Sequence, residues 1–291
     1  GVSEAIDIAL RTIINPGDEV IYHEPCFVSY RPSIILAGGV PVCVETRRED
    51  EFRLTRPMLE KAVTPKTRAL MLNFPCNPTG AVLARKDVEE ISNFCIQHDL
   101  LLLTDEIYAE LTYDSQHISF VSIPGMKERT IFMHGMSKAW AMTGFRIGYA
   151  CAPADISENM MKLHQYAIMS APTTGQKAAA EALERGDAAV AAMRAEYNRR
   201  RNYLIAAFNE MGVQCHTPAG AFYAFPYIGD LGISAEDFAM RFLEEKGVAV
   251  VPGDAFGKSG AGFLRCAYAT SMDNIREAMR RMAEFVAQLR A

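Results

Sequence analysis

Short apolar runs alternate with longer amphipathic stretches through the first two thirds of the chain. The runs are Glu19–Tyr22, Val40–Val44, Ala69–Asn73, Leu100–Thr104, Thr130–Met133 and Ile147–Cys151. They are almost continuously hydrophobic, as strands buried on both faces are, and they predict a mostly parallel sheet between helical layers. An opening helix (Ala5, Ile6, Ile8, Ala9, Leu10), Met58–Val63 and Arg85–His98 supply helical patterns, and Asn15-Pro16-Gly17-Asp18 and Gly38-Gly39 supply turn chemistry at the joints. After about Pro172 the pattern changes. Two long helical stretches, Thr174–Leu183 and Ala188–Met211, lead to short strand patterns at Val213–Thr217, Phe222–Pro226, Val248–Val251 and Phe263–Ala267. Helical patterns at Ala235–Lys246 and Met272–Leu289 complete this part. The expected architecture is α/β, a three-layer, mostly parallel sheet over residues 1–190, with a smaller C-terminal α+β domain over 191–291.

Composition narrows the class. With 291 residues, 49% of them hydrophobic, the chain can bury a large core. A net charge of −5 argues against nucleic acid or an anionic membrane as the main partner. No apolar stretch approaches a membrane span. Seven scattered cysteines without CxxC spacing point away from a disulfide framework or a zinc site, and toward reduced thiols in a cytoplasmic protein. No metal is expected.

The chemistry concentrates where the apolar runs end, which is where open α/β sheets form their ligand sites. Thr130-Ile131-Phe132-Met133 runs into His134-Gly135-Met136-Ser137-Lys138, and Arg146 follows between Gly144 and Gly148. A lone lysine is usually a solvated charge. Paired with that arginine, it offers an amine able to form a Schiff base and a planar cation suited to phosphate. A cofactor with both an aldehyde and a phosphate is pyridoxal 5′-phosphate.

Asp105 closes the run Leu100–Thr104, and a carboxylate there needs a positive partner; a protonated pyridine nitrogen is one, and the pair keeps the ring an electron sink. Its alternative is a helix N-cap. Tyr108 and Asn77, the latter in Asn77-Pro78-Thr79-Gly80, can both donate to the cofactor's phenolic oxygen; alone they read as a half-buried tyrosine and a turn residue. Phe27 can stack on the ring, or be ordinary core. Gly1 and Val2 open the first helix, whose leading amides suit a phosphate. Arg265 interrupts the apolar Phe263-Leu264-Arg265-Cys266 and suits a substrate carboxylate, with an internal salt bridge as its alternative.

Together these stretches resemble the class I/II aminotransferases, pyridoxal-phosphate enzymes of fold type I, over essentially the whole chain. The likeness is greatest to the bacterial and archaeal branch that contains aspartate, alanine and aromatic aminotransferases. It implies catalytic roles for Lys138, Asp105 and Tyr108. Cofactor contacts would come from Gly1, Val2, Phe27, Asn77, Asp105, Tyr108, Lys138 and Arg146, and substrate contacts from Asn77 and Arg265. The implied activity moves an amino group from an L-amino acid to a 2-oxo acid through a Lys138 Schiff base, in a homodimer. A carbon–sulfur lyase on the same cofactor and a non-catalytic sensor domain of a transcription regulator are the alternatives. Two departures stand out: Gly135 occupies the place of a serine or threonine phosphate ligand, and Ser3 that of a lysine in some aspartate-specific relatives. The resemblance also implies a leading segment before Gly1.

Overall fold

A computed structural model describes residues 1–291. The first unit comprises α1 (Val2–Ile13), β1 (Glu19–Glu24), α2 (Tyr30–Leu36), β2 (Val40–Glu45), α3 (Arg56–Glu60) and β3 (Thr67–Asn73). It continues with α4 (Arg85–Gln97), β4 (Leu101–Asp105), β5 (Thr130–Gly135), β6 (Gly148–Cys151), α5 (Ala154–Ile168) and α6 (Thr173–Arg185). Its six strands lie in the order β2-β1-β3-β4-β5-β6. Strands β1 to β5 run parallel and β6 closes the edge antiparallel, with Gly135 opposite Gly148.

Side-chain parity along the strands makes the three layers. Val20, Tyr22, Ala69, Met71, Leu103, Ile131 and Met133 face α1, α2 and α5, where Ala9, Leu10, Ile34 and Met160 cover them. Ile21, Leu70, Leu72 and Leu102 point the other way, onto Leu59 of α3 and Val88, Ile91 and Phe94 of α4. Adjacent residues on one strand thus enter opposite cores, which is why the runs read as continuously apolar.

The second unit contains the end of α7 (Asp187–Glu210), β7 (Gln214–Cys215), β8 (Tyr223–Ala224) and β9 (Pro226–Tyr227). It is completed by α8 (Ala235–Lys246), β10 (Val251–Pro252), β11 (Leu264–Ala267) and α9 (Met272–Arg290). The antiparallel sheet β10-β11-β8 packs against the helices through Leu204, Phe208, Phe238, Phe242, Phe285 and Leu264. Serine caps start both late helices, Ser234 accepting from the Asp237 amide and Ser271 from that of Asn274. Helix α7 buries Val190 in the core beneath α1 and Leu204 and Phe208 in the core of the second unit, so one rod joins both units.

The structure corrects several sequence expectations. Helices α2 and α5 were not anticipated: α2 buries only Tyr30 and Ile34, and α5 only Met160, so neither carries a full apolar stripe. The expected strands of the second part shrink to two to four residues. That over Phe222–Pro226 splits at Phe225, and the Val248–Val251 pattern pairs only at Val251–Pro252. No helix is long and apolar enough to cross a membrane.

One loop clamp fixes the geometry of the site. Gly80 sits at φ +72°, and its carbonyl accepts from the amides of Ala219 and Gly220, both at 2.9 Å. A Cβ on Gly80 would lie 2.2 Å from that of Pro218. Gly80→Ala is expected to cost about 2 kcal/mol or more, from the left-handed backbone and the collision together. Urea denaturation checks this, and an unchanged midpoint would reject the clamp.

Candidate active site

The carboxyl ends of β1, β3, β4 and β5 converge on a cavity of about 300 Å³. Val2, Phe27, Asn77, Asp105, Tyr108, Lys138, Arg146 and Arg265, eight of the nine residues selected from the sequence, line it. The ninth, Gly1, caps the adjoining helix α1 and stands against Arg146. Most sit just past or at the end of a strand, or at a helix start, where the backbone leaves regular hydrogen bonding and a side chain can turn inward; Arg146 precedes β6, and Arg265 projects from within β11.

Asp105 is the last residue of β4 and only 4% exposed. Its carboxylate accepts from the Tyr30 hydroxyl at 2.8 Å and the Ile107 amide at 3.2 Å, and it meets no cation. The N-cap alternative fails because β4 runs into a turn rather than a helix. Burial pushes this carboxyl up to about 6; the Tyr30 hydrogen bond, the Ile107 amide and His134 oppose the rise, and the neighbouring Glu106 adds to it. Glu106 itself faces away from the cavity, within hydrogen-bond reach of His117 at 2.6 Å, Ser119 at 3.0 Å and Thr104 at 3.1 Å. That network anchors the strand end.

The three cations of the cavity lack counterions. Lys138 stands 5.8 Å from the centre of the Tyr108 ring and 5.7 Å from that of Phe222. Its ammonium is held below the usual lysine range, by burial first and then by Arg265 and Arg146, with Asp105 opposing. Arg146, left-handed at φ +55°, gives one hydrogen bond to the Thr143 carbonyl. Arg265 donates to Asn77 Oδ1 at 3.0 Å, while its Nε is buried without a partner. The internal salt bridge weighed for Arg265 is therefore absent. Its guanidinium instead lies 4.5 Å from the centre of the Tyr223 ring and 4.7 Å from that of Phe256. Unpaired cations around a cavity suit anionic groups, one at each end.

Pyridoxal 5′-phosphate passes a test of fit on these features. Its aldehyde needs an amine, and partial burial lowers the proton affinity of the one Lys138 offers. Its ring nitrogen needs a carboxylate without a protein cation, as Asp105 is. The phosphate needs donors beside a positive charge. The first amides of α1 lack intrahelical partners, and Arg146 stands next to them. Two glycines permit that approach. A Cβ on Gly148 would come 2.7 Å from the Val2 nitrogen, and one on Gly135 would come 2.9 Å from Val2 Cγ2.

The sequence reading missed several partners. Tyr30 donates to Asp105. Asn73 places its Nδ2 2.7 Å from the Asp105 carbonyl and accepts from the Asn77 amide at 3.1 Å. The Tyr223 hydroxyl lies 3.1 Å from that of Tyr108. No local spacing in the sequence marks either the Tyr30 or the Tyr223 contact.

A parallel sheet with a lysine, an aspartate and an arginine at one carboxyl-end cavity defines the fold type I pyridoxal-phosphate enzymes. Comparison with known proteins agrees. The profile of the family described as aminotransferase class I and II matches residues 1–282. An aspartate aminotransferase of Pyrococcus abyssi is 48% identical over 97% of this chain and 73% of its own length. Aromatic-amino-acid aminotransferase 2 of Thermococcus litoralis is 49% identical over the same shares. The crystal structure of an aromatic aminotransferase from Pyrococcus horikoshii superposes with a TM-score of 0.97 at 48% identity, covering 99% of this chain and 78% of that one. The chain belongs to the class I and II aminotransferase family. It is a transferase that uses pyridoxal 5′-phosphate to move an amino group from an amino acid to a 2-oxo acid.

Proposed function

We propose that Lys138 is the amine that binds the cofactor covalently and then serves as the proton carrier of the reaction. The observation that carries this reading is a half-buried, unpaired lysine facing the same cavity as Asp105, Arg146 and Arg265. When bound, the cofactor supplies an electron sink for the pair left behind by the departing α-proton. The protein does the rest. Arg265 holds the substrate carboxylate, with Asn77 fixing its guanidinium. Arg146 and the leading amides of α1 from Val2 onward hold the phosphate, and Gly1 at the N-cap lets it approach. Asp105 keeps a proton on the ring nitrogen, Phe27 covers one ring face, and Tyr108 with Asn77 donates to the phenolic oxygen. Once displaced by the substrate amine, Lys138 is released as a free amine that takes the α-proton at Nζ as a base and returns it as an acid.

Reduction of the loaded protein with borohydride, followed by peptide mapping, tests the assignment. Label on Lys138 is expected; label on Lys162 or another lysine would sink it. Substrate choice is measured with a panel of amino donors against 2-oxoglutarate and pyruvate.

Tyr30 belongs to the same scheme. Tyr30→Phe keeps the ring and removes the donor to Asp105. The carboxyl then ionises less readily, and affinity for pyridoxal 5′-phosphate is expected to fall about tenfold. Equilibrium titration at pH 8 measures it; an unchanged dissociation constant would remove Tyr30 from the scheme.

The working unit we propose is a cytoplasmic homodimer. Tyr166 at 92% and Met169 at 82% exposure, with Met161 and Ile168 nearby, leave an apolar end on α5 that a second copy would cover. The seven free thiols fit a reducing compartment. Residues 1–190 and 191–291 form the two units of this scheme, the junction falling within α7, whose ends are buried in different cores. Analytical ultracentrifugation tests the dimer, and a monomer at micromolar concentration would refute it.

A further inference from the structure

We propose that Tyr223 is a positioning residue that serves two members of the site at once: its hydroxyl orients the Tyr108 hydroxyl, and its ring carries the Arg265 guanidinium. The inference rests on the roles proposed above for Tyr108, Lys138 and Arg265.

Tyr223 lies in β8 opposite Ala267 of β11, the strand that bears Arg265. Its side chain is buried and lines the cavity. The Tyr108 and Tyr223 hydroxyls are 3.1 Å apart, and their rings meet edge-on at 5.9 Å and 79°. A phenol has one proton to give. For Tyr108 to direct its proton into the cavity, Tyr223 must be the donor between the two. Accepting that bond makes Tyr108 the stronger donor in turn, because hydrogen bonds in a chain polarise one another. The ring has a separate duty. Arg265 spends one hydrogen bond on Asn77, and its Nε has none, so the faces of Tyr223 and Phe256 are what offset its burial. Held between two rings, the guanidinium presents its remaining N–H groups to the cavity in a fixed plane.

Two substitutions separate the duties. Tyr223→Phe removes the hydroxyl alone, and Tyr223→Leu removes the aromatic face while keeping apolar volume. Both are loaded with pyridoxal 5′-phosphate, and the visible absorbance is titrated against pH. A donor on the phenolic oxygen draws off the negative charge that helps hold a proton on the Lys138 nitrogen. A weaker donor leaves that proton bound to higher pH. The midpoint in Tyr223→Phe is therefore expected to rise by about half a pH unit. A midpoint that stays put or falls overturns the relay; a fall would mean that Tyr108 donates to Tyr223. KM for the best amino donor is expected to stay within about twofold in Tyr223→Phe and to rise about tenfold in Tyr223→Leu, with kcat changed less. An unchanged KM in the leucine variant overturns the platform. Should leucine prevent folding, the phenylalanine titration still decides the relay. A wild-type protein with no visible band would be a failure of the Lys138 assignment, distinct from either result.

Discussion

Lys138→Ala is expected to abolish the visible absorbance of the loaded protein and to lower turnover by about 10⁴-fold, the upper end of what a positioned acid–base group supplies, with the lost covalent link adding to it. Loss of the ammonium also relieves like-charge crowding, since Lys138, Arg146 and Arg265 share a cavity that holds one carboxylate. The ligand-free variant should therefore be no less stable than wild type. Stopped-flow turnover with the best donor and a urea melt measure the two effects. Retention of a tenth of wild-type turnover would remove Lys138 from the chemistry.

Asp105→Asn carries the second large effect, with opposite signs for activity and stability. A neutral amide cannot hold a proton on the ring nitrogen, and turnover is expected to fall by about three orders of magnitude, at about 1.4 kcal/mol per decade. For stability, the folded carboxyl titrates at about 6 against an ordinary 3.8. A raised acid is fully accommodated below 3.8, and its contribution is lost as pH climbs through 6, so its whole cost, on the order of 3 kcal/mol, is present at pH 7. Asparagine never ionises, though its NH₂ must find partners in the same pocket. The ligand-free variant should thus exceed wild type by about 1 to 3 kcal/mol at pH 7, and that advantage should be lost by about pH 4. Denaturant melts at both values decide it; a variant weaker than wild type at pH 7 would contradict the burial cost.

The sheet was legible because both faces of every central strand are covered, so Leu70, Met71 and Leu72 could all be apolar. Site positions were legible for a related reason. Asp105 and Lys138 place charge where apolar runs stop, at the carboxyl edge of the sheet where open α/β folds form their ligand sites. Helix α5 left no comparable trace, with Met160 its one buried residue. The short strands of the second unit were overdrawn because apolar residues such as Val248 and Phe225 pack there without strand pairing. Partnerships were the least legible. Tyr30 reaches Asp105 across 75 positions and Tyr223 reaches Tyr108 across 115, and no local spacing encodes either contact. The departure at Gly135 also acquires a physical meaning, since a larger residue there would collide with Val2.

That glycine and its opposite number, Gly148, have a consequence for how damage to this protein would look. A methyl group at either position presses on the first turn of α1 at Val2, on the margin of the core that helix covers. On the proposed assignment the injury falls on phosphate affinity as well as on packing, and a weakened binding equilibrium responds to ligand concentration. Alanine variants at 135 or 148 should therefore look defective in a vitamin B6-poor medium and recover when the supplement is raised, a dose-dependent phenotype that a lost catalytic group would never display.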